Sequence, residues 1–143
     1  MRTSVLIFFV LIFSFSGCAQ KKVDMDSVLG DWTGESKCVG SNTSCHDEVV
    51  VYHFTRSKTD PTKINLSADK IINGKPEFMG EFDFTFDPDK ATLTAEFTIP
   101  RTGGKGVWSF TVDGDDIEGT LTVYPEKEIG RRVKVTRKKN DKQ

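Results

Sequence analysis

An all-β fold of eight antiparallel up-and-down strands over residues 28–137 follows from three observations. Apolar residues recur with a period of two, and no helical stripe interrupts them. Turn chemistry separates the alternating runs at Asp60-Pro61, Asn73-Gly74, Asp87-Pro88-Asp89, Gly103-Gly104 and Asp113-Gly114-Asp115. The connections are short, so consecutive strands pair antiparallel and the topology is a meander.

Eight runs are expected, at 28–37, 47–55, 62–71, 76–86, 91–99, 106–112, 117–124 and 129–137. The second, Val49-Val50-Val51-Tyr52-His53-Phe54, is apolar on both faces, which predicts a cover over its outer side, the N-terminal segment being the candidate. The fourth puts Phe78, Gly80, Phe82, Phe84 and Phe86 on one face and Met79, Glu81, Asp83 and Thr85 on the other. In the fifth, Leu93, Ala95, Phe97 and Ile99 share a face; in the sixth, Trp108, Phe110 and Val112; in the seventh, Ile117, Gly119, Leu121 and Val123. The last run is strongly basic, from Arg131-Arg132 to Arg137-Lys138-Lys139, and runs into a basic tail at 138–143. One face in and one face out on consecutive strands requires packed sheets or a closed barrel.

The N-terminus has the three parts of an export signal: Arg2, the apolar run Val5 to Phe15, and small residues Ser16 and Gly17 before Cys18. The run is shorter than the roughly twenty residues of a membrane span. Phe15-Ser16-Gly17-Cys18 resembles the lipobox of bacterial lipoproteins, with Phe15 where that family prefers Leu. The resemblance implies that residues 1–17 are a signal peptide and that Cys18 is diacylated as the new N-terminus. Residues 18–27 would then tether the domain to a membrane. Cleavage by ordinary signal peptidase near Ala19 is the alternative, and either route exports the protein. In a Gram-negative cell Ala19 implies the outer membrane; in any host the implied location is the cell envelope.

Three cysteines leave an odd thiol in an exported chain. With Cys18 lipidated, Cys38 and Cys45 remain as one pair in an oxidising compartment, closing the short polar loop Val39 to Ser44 as a disulfide. A metal site from Cys38, Cys45, His46 and His53 lacks the ligand spacing that gives zinc specificity, so no metal is expected.

Leu29-Gly30-Asp31-Trp32-Thr33-Gly34 is similar to the G-x-W signature that opens lipocalins and related barrels. That resemblance implies an antiparallel up-and-down eight-stranded barrel, lipocalin-like, with a Trp closing one end and an Arg of the last strand (Arg131, Arg132 or Arg137) packed across it. The aromatic residues of the mature chain, Trp32 and Trp108 among them, make an apolar lining that could hold a lipophilic ligand or simply fill the barrel. Seven of the eleven Phe residues lie beyond Phe15. The candidate ligand-binding residues are Trp32, Phe82, Phe84, Phe97, Trp108 and Phe110, although bulky Phe at facing positions of an eight-stranded barrel favours a filled interior.

Other function classes find little support. Lys and Arg total 20 against 21 Asp and Glu, which gives no footprint for nucleic acid. Gly103-Gly104-Lys105-Gly106 lacks the Walker spacing and a following helix. His46-Asp47-Glu48 beside Ser44, and Thr55 near His53, satisfy no nucleophile–base spacing, so the chain reads as non-enzymatic and without a cofactor. Neither Asp87-Pro88-Asp89 nor Asp113-Gly114-Asp115-Asp116 has the ligand order of a calcium loop. Two readings stand: a small-molecule binding module, or a filled barrel that grips an envelope protein as hydrolase inhibitor or accessory subunit. With eight strands, tether and basic tail share one end, where Lys138 and Lys139 would face anionic lipid, and the cysteine loop lies at the other.

Overall fold

The structure, a computed structural model, describes residues 22–40 and 44–139. The expected signal segment 1–17, Cys18, the start of the tether and the end of the basic tail lie outside the described residues. A 3-10 turn at Met25–Ser27 leads into eight strands: β1 Gly30–Cys38, β2 Glu48–Arg56, β3 Lys63–Ile72, β4 Lys75–Asp87, β5 Thr92–Thr98, β6 Lys105–Asp113, β7 Asp116–Tyr124 and β8 Glu128–Arg137. Each lies within two residues of its expected run. They form one closed barrel in chain order, every neighbour antiparallel, and β1 pairs with β8 from Trp32↔Arg137 to Cys38↔Arg131.

The turn residues do what their conformational freedom allows. Asn73 and Gly74 both have positive φ, 51° and 77°, and join β3 to β4 as the two-residue loop between Ile72 and Lys75. Because the strand number is even, β1 begins and β8 ends at the same end of the barrel. We call this the closed end, and the opposite end, carrying the cysteine loop, the mouth.

Inward alternation fills the closed half. Trp32, Phe54, Phe84, Phe110, Ile64, Leu93, Ile117, Val28 and Val135 are all less than 2% exposed. Burial of each such side chain stabilises the fold by roughly 1.5–3 kcal/mol relative to exposure. The Phe84 and Phe110 rings stack at 5.2 Å, and Phe110 stacks on Tyr52 at 6.1 Å, so aromatic side chains span the middle of the barrel. Phe110 lies directly over Gly119, its partner across the β6–β7 ladder, where any Cβ would overlap the ring.

Three expectations are corrected. Residues 22–27, expected as part of a free tether, pack over the closed end. Val23 N–H donates to Pro88 O at 3.1 Å, and Val23 and Met25 lie against the core because the barrel floor would otherwise be wet. That segment therefore does not cover the outer side of β2 near the mouth, and Val49 is 52% exposed. Phe78 does not share the inward face of β4. Register passes from Ala68↔Gly80 to Asp69↔Phe78, leaving Met79 as the extra residue of a bulge, and Phe78 turns outward to 63% exposure.

Candidate functional site

The closed end is built around Trp32. Its indole N–H donates to Val28 O at 2.9 Å, and the Arg137 guanidinium carbon lies 4.2 Å from the ring centroid. Arg137 also donates to Leu29 O at 3.0 Å, to Ser27 O and to Asp115 Oδ1 at 3.1 Å, tying the entering and leaving chain segments together. Of the three candidate arginines, Arg137 takes the place across the Trp. Trp32 is fully buried beneath it, so the indole presents no surface to a ligand at this end.

The six candidate ligand-contacting residues therefore divide. Trp32 belongs to the closed end, and Phe84 and Phe110 to the packed middle. Phe82, Phe97 and Trp108 come together above that floor, half-buried, on the inward faces of β4, β5 and β6. The Phe82 and Phe97 rings meet at 5.1 Å, and Trp108 leans on Phe110 at 5.6 Å. The outer edge of the Phe97 ring lies over Gly106, where an added Cβ would stand 2.5 Å from Cζ. Half-buried Leu121 and Val123 of β7 continue this apolar wall, paired with Trp108 and Gly106.

The facing wall is polar, which the sequence reading missed. Arg131 has the inward parity of Val133 and Val135 on β8 and is 18% exposed in its side chain. It donates to the Ser36 hydroxyl at 3.0 Å and to Ser36 O at 3.3 Å, and reaches His46 O at 3.1 Å. Glu48 Oε2 lies 3.1 Å from its guanidinium, closing an ion pair inside the mouth. Ser36 is 2% exposed and hydrogen-bonds the Tyr52 hydroxyl, and burial pushes the Tyr52 phenol well above its ordinary range. Lys70, opposite Val50 in the β2–β3 register, pairs with Glu77 at 3.6 Å on the rim. The mouth thus presents an aromatic wall and a charged, hydrogen-bonding wall over a filled floor.

The rim loop between β1 and β2 is pinned. Cys38 and Cys45 are disulfide-bonded with their Cα atoms 5.9 Å apart, and Asp47 accepts the Cys38 N–H at 2.8 Å. Their thiolates are therefore not available as metal ligands. His46 is exposed beside this loop. His53 lies on the outer wall of β2 between two carboxylates, Nδ1 at 2.7 Å from Asp31 and Nε2 at 3.3 Å from Asp69. The register brings Asp31 opposite His53, a pairing that no linear spacing suggests.

No family model matches this sequence, and no curated protein matches it. Among solved structures the chain is similar to secretory abundant heat soluble protein 4 from Ramazzottius varieornatus, at a TM-score of 0.50 and 15% identity. The match covers 78% of this chain and 94% of that one. At this identity the likeness extends to the eight-stranded barrel and no further.

Proposed function

We propose that this chain is an exported, membrane-anchored lipoprotein whose lipocalin-like barrel binds a small apolar ligand at its mouth. The observation that carries the binding reading is the trio Phe82, Phe97 and Trp108, turned inward yet only half-buried above a filled core. Water-exposed aromatic surface gains free energy when an apolar ligand covers it. The stacked Tyr52, Phe110 and Phe84 rings limit the depth of the site, which favours a compact or partly protruding ligand over a long buried chain. Arg131 and Glu48 on the other wall, both partly exposed, offer a donor and an acceptor to a polar group of the same ligand.

The anchoring part of the reading rests on the lipobox resemblance at Cys18, and the lipocalin-like part on Gly30-Asp31-Trp32 with Arg137 across the indole. No step of this function requires bond chemistry, so the protein is read as a binder without catalytic residues, cofactor or metal.

The test is titration with a naphthylamine dye that fluoresces in apolar surroundings, followed by displacement with the compact aromatic acid 1-naphthoic acid. Phe97→Ser and Trp108→Ser should each weaken dye binding about tenfold, the size expected for losing one aromatic contact surface. Phe78→Ser, on the outer wall, should leave it unchanged. Equal loss in all three variants, or no binding by the unmodified chain, would overturn the reading.

A further inference from the structure

Barrel closure is uneven. β4 pairs with β5 only at Thr85↔Thr94, Phe86↔Leu93 and Asp87↔Thr92, all near the closed end. Above Thr85, β4 from Lys75 to Phe84 pairs with β3 alone, and β5 from Ala95 to Thr98 pairs with β6 alone. Every second residue of each strand therefore directs its N–H and C=O into a seam without a backbone partner among the described residues. Only side chains bridge the seam on its inner side, where Phe82 meets Phe97.

The two faces of that seam differ in chemistry. Inward, Gly80, Phe82, Ala95 and Phe97 make it apolar. Outward, it carries Glu81 and Asp83 on β4 and Glu96 on β5. Asn65, Ser57 and Thr59 hold the Asp83 carboxyl below the usual carboxylate range by hydrogen bonding, so it stays ionised. Glu96 has Lys105 at 3.5 Å, whereas Glu81 is exposed on the free edge. On the β3 side of β4, away from the seam, the outer wall forms a depression of about 630 Å³ whose lining mixes Arg56 and Lys58 with Glu81 and Asp83.

We propose that the free edge of β4 from Gly80 to Phe84 is a docking rail for an extended segment of a partner polypeptide with alternating basic and apolar residues. The segment adds as a strand to β4. Its backbone satisfies the unpaired edge groups, its apolar side chains cover Phe82 and Phe97, and its basic side chains meet Glu81, Asp83 and Glu96. A strand of the opposite pattern, with acidic residues outward, would be repelled at the same rail. This surface is separate from the mouth ligand site in its backbone contacts, although the two share Phe82 and Phe97.

The probe is the blocked peptide acetyl-Lys-Val-Lys-Val-Lys-Val-amide, added to the full chain. Calorimetry reads its affinity, and amide hydrogen exchange reads the site. Binding should slow exchange at β4 amides between Gly80 and Phe84, and should weaken as salt rises. Glu81→Lys should weaken it roughly fivefold, the scale of one cross-strand charge pair, with unchanged thermal unfolding as the control for folding. The same peptide N-methylated at alternate residues keeps its side chains and charges but loses edge donors, and should not bind. Equal binding of the N-methylated peptide, or binding without protection of β4, overturns the proposal. So does β4 protection that grows with protein concentration in the absence of peptide, which would make a second copy the occupant.

Discussion

The guanidinium carbon of Arg137 lies over the Trp32 indole, 4.2 Å from its centroid, while the same group donates to the carbonyls of Ser27 and Leu29. One side chain from the end of β8 thereby covers the bulkiest core residue and ties down the chain that leads into β1. Arg137→Ala should destabilise the domain by about 2–3 kcal/mol, combining a cation–π contact with charged hydrogen bonds to carbonyls. Arg137→Lys should restore less than half of this, because an ammonium cannot span the same acceptors. Urea unfolding followed by Trp fluorescence checks both.

Tyr52 predicts an alkaline limit. Burial raises its phenol pKa in the folded chain above the value of about 10 expected when unfolded. The neutral phenol's contribution to stability is therefore complete below about pH 10. Above it, the unfolded chain ionises first and stability falls until the folded phenol also ionises. Tyr52→Phe should cost about 1 kcal/mol at neutral pH through the lost Ser36 hydrogen bond, yet decline less steeply between pH 9 and pH 11. Parallel curves for the two proteins would contradict the assignment.

The cysteine loop should behave as a local clamp. Closing a loop of sequence separation 7 contributes about 2 kcal/mol, less than a long-range bridge. The double variant Cys38→Ser, Cys45→Ser should unfold at correspondingly lower urea. Intact mass under non-reducing conditions should show the loss of two hydrogens from this pair.

Cys18→Ala should move the protein from the membrane fraction to the soluble exported fraction. Fractionation followed by immunoblotting reads this directly, and continued membrane partitioning of the variant would sink the lipobox assignment.

Most of the barrel was legible because alternation is a local signal that the closed fold leaves intact. The faces of β5, β6 and β7 run as their sequences suggest, and Asn73-Gly74 makes the turn its φ tolerance predicts. Phe78 was not legible, because a bulge at Met79 reverses parity and nothing in Phe78-Met79-Gly80 marks the extra residue beyond the glycine. The polar wall of the mouth was half-visible. Arg131, Val133, Val135 and Arg137 share one parity on β8, so the same alternation that places the valines in the core places both arginines inward. Their separate tasks, one over Trp32 and one beside Glu48, depend on register with β1 and β2, which a linear reading does not contain. The seam between β4 and β5 is likewise a property of strand divergence and leaves no local mark.

The shared end of the two termini has a mechanical consequence. β1 and β8 are antiparallel neighbours whose outer ends both lie at the closed end. A force that pulls the N-terminus away from the C-terminus therefore peels these strands apart one rung at a time instead of shearing all rungs together. The Lys138 N–H to Asp31 O bond and the grip of Arg137 on Ser27 and Leu29 carry the load first. A chain tethered at one terminus and tugged at the other would yield by unzipping from its base, with resistance concentrated in that first rung and the Arg137 latch.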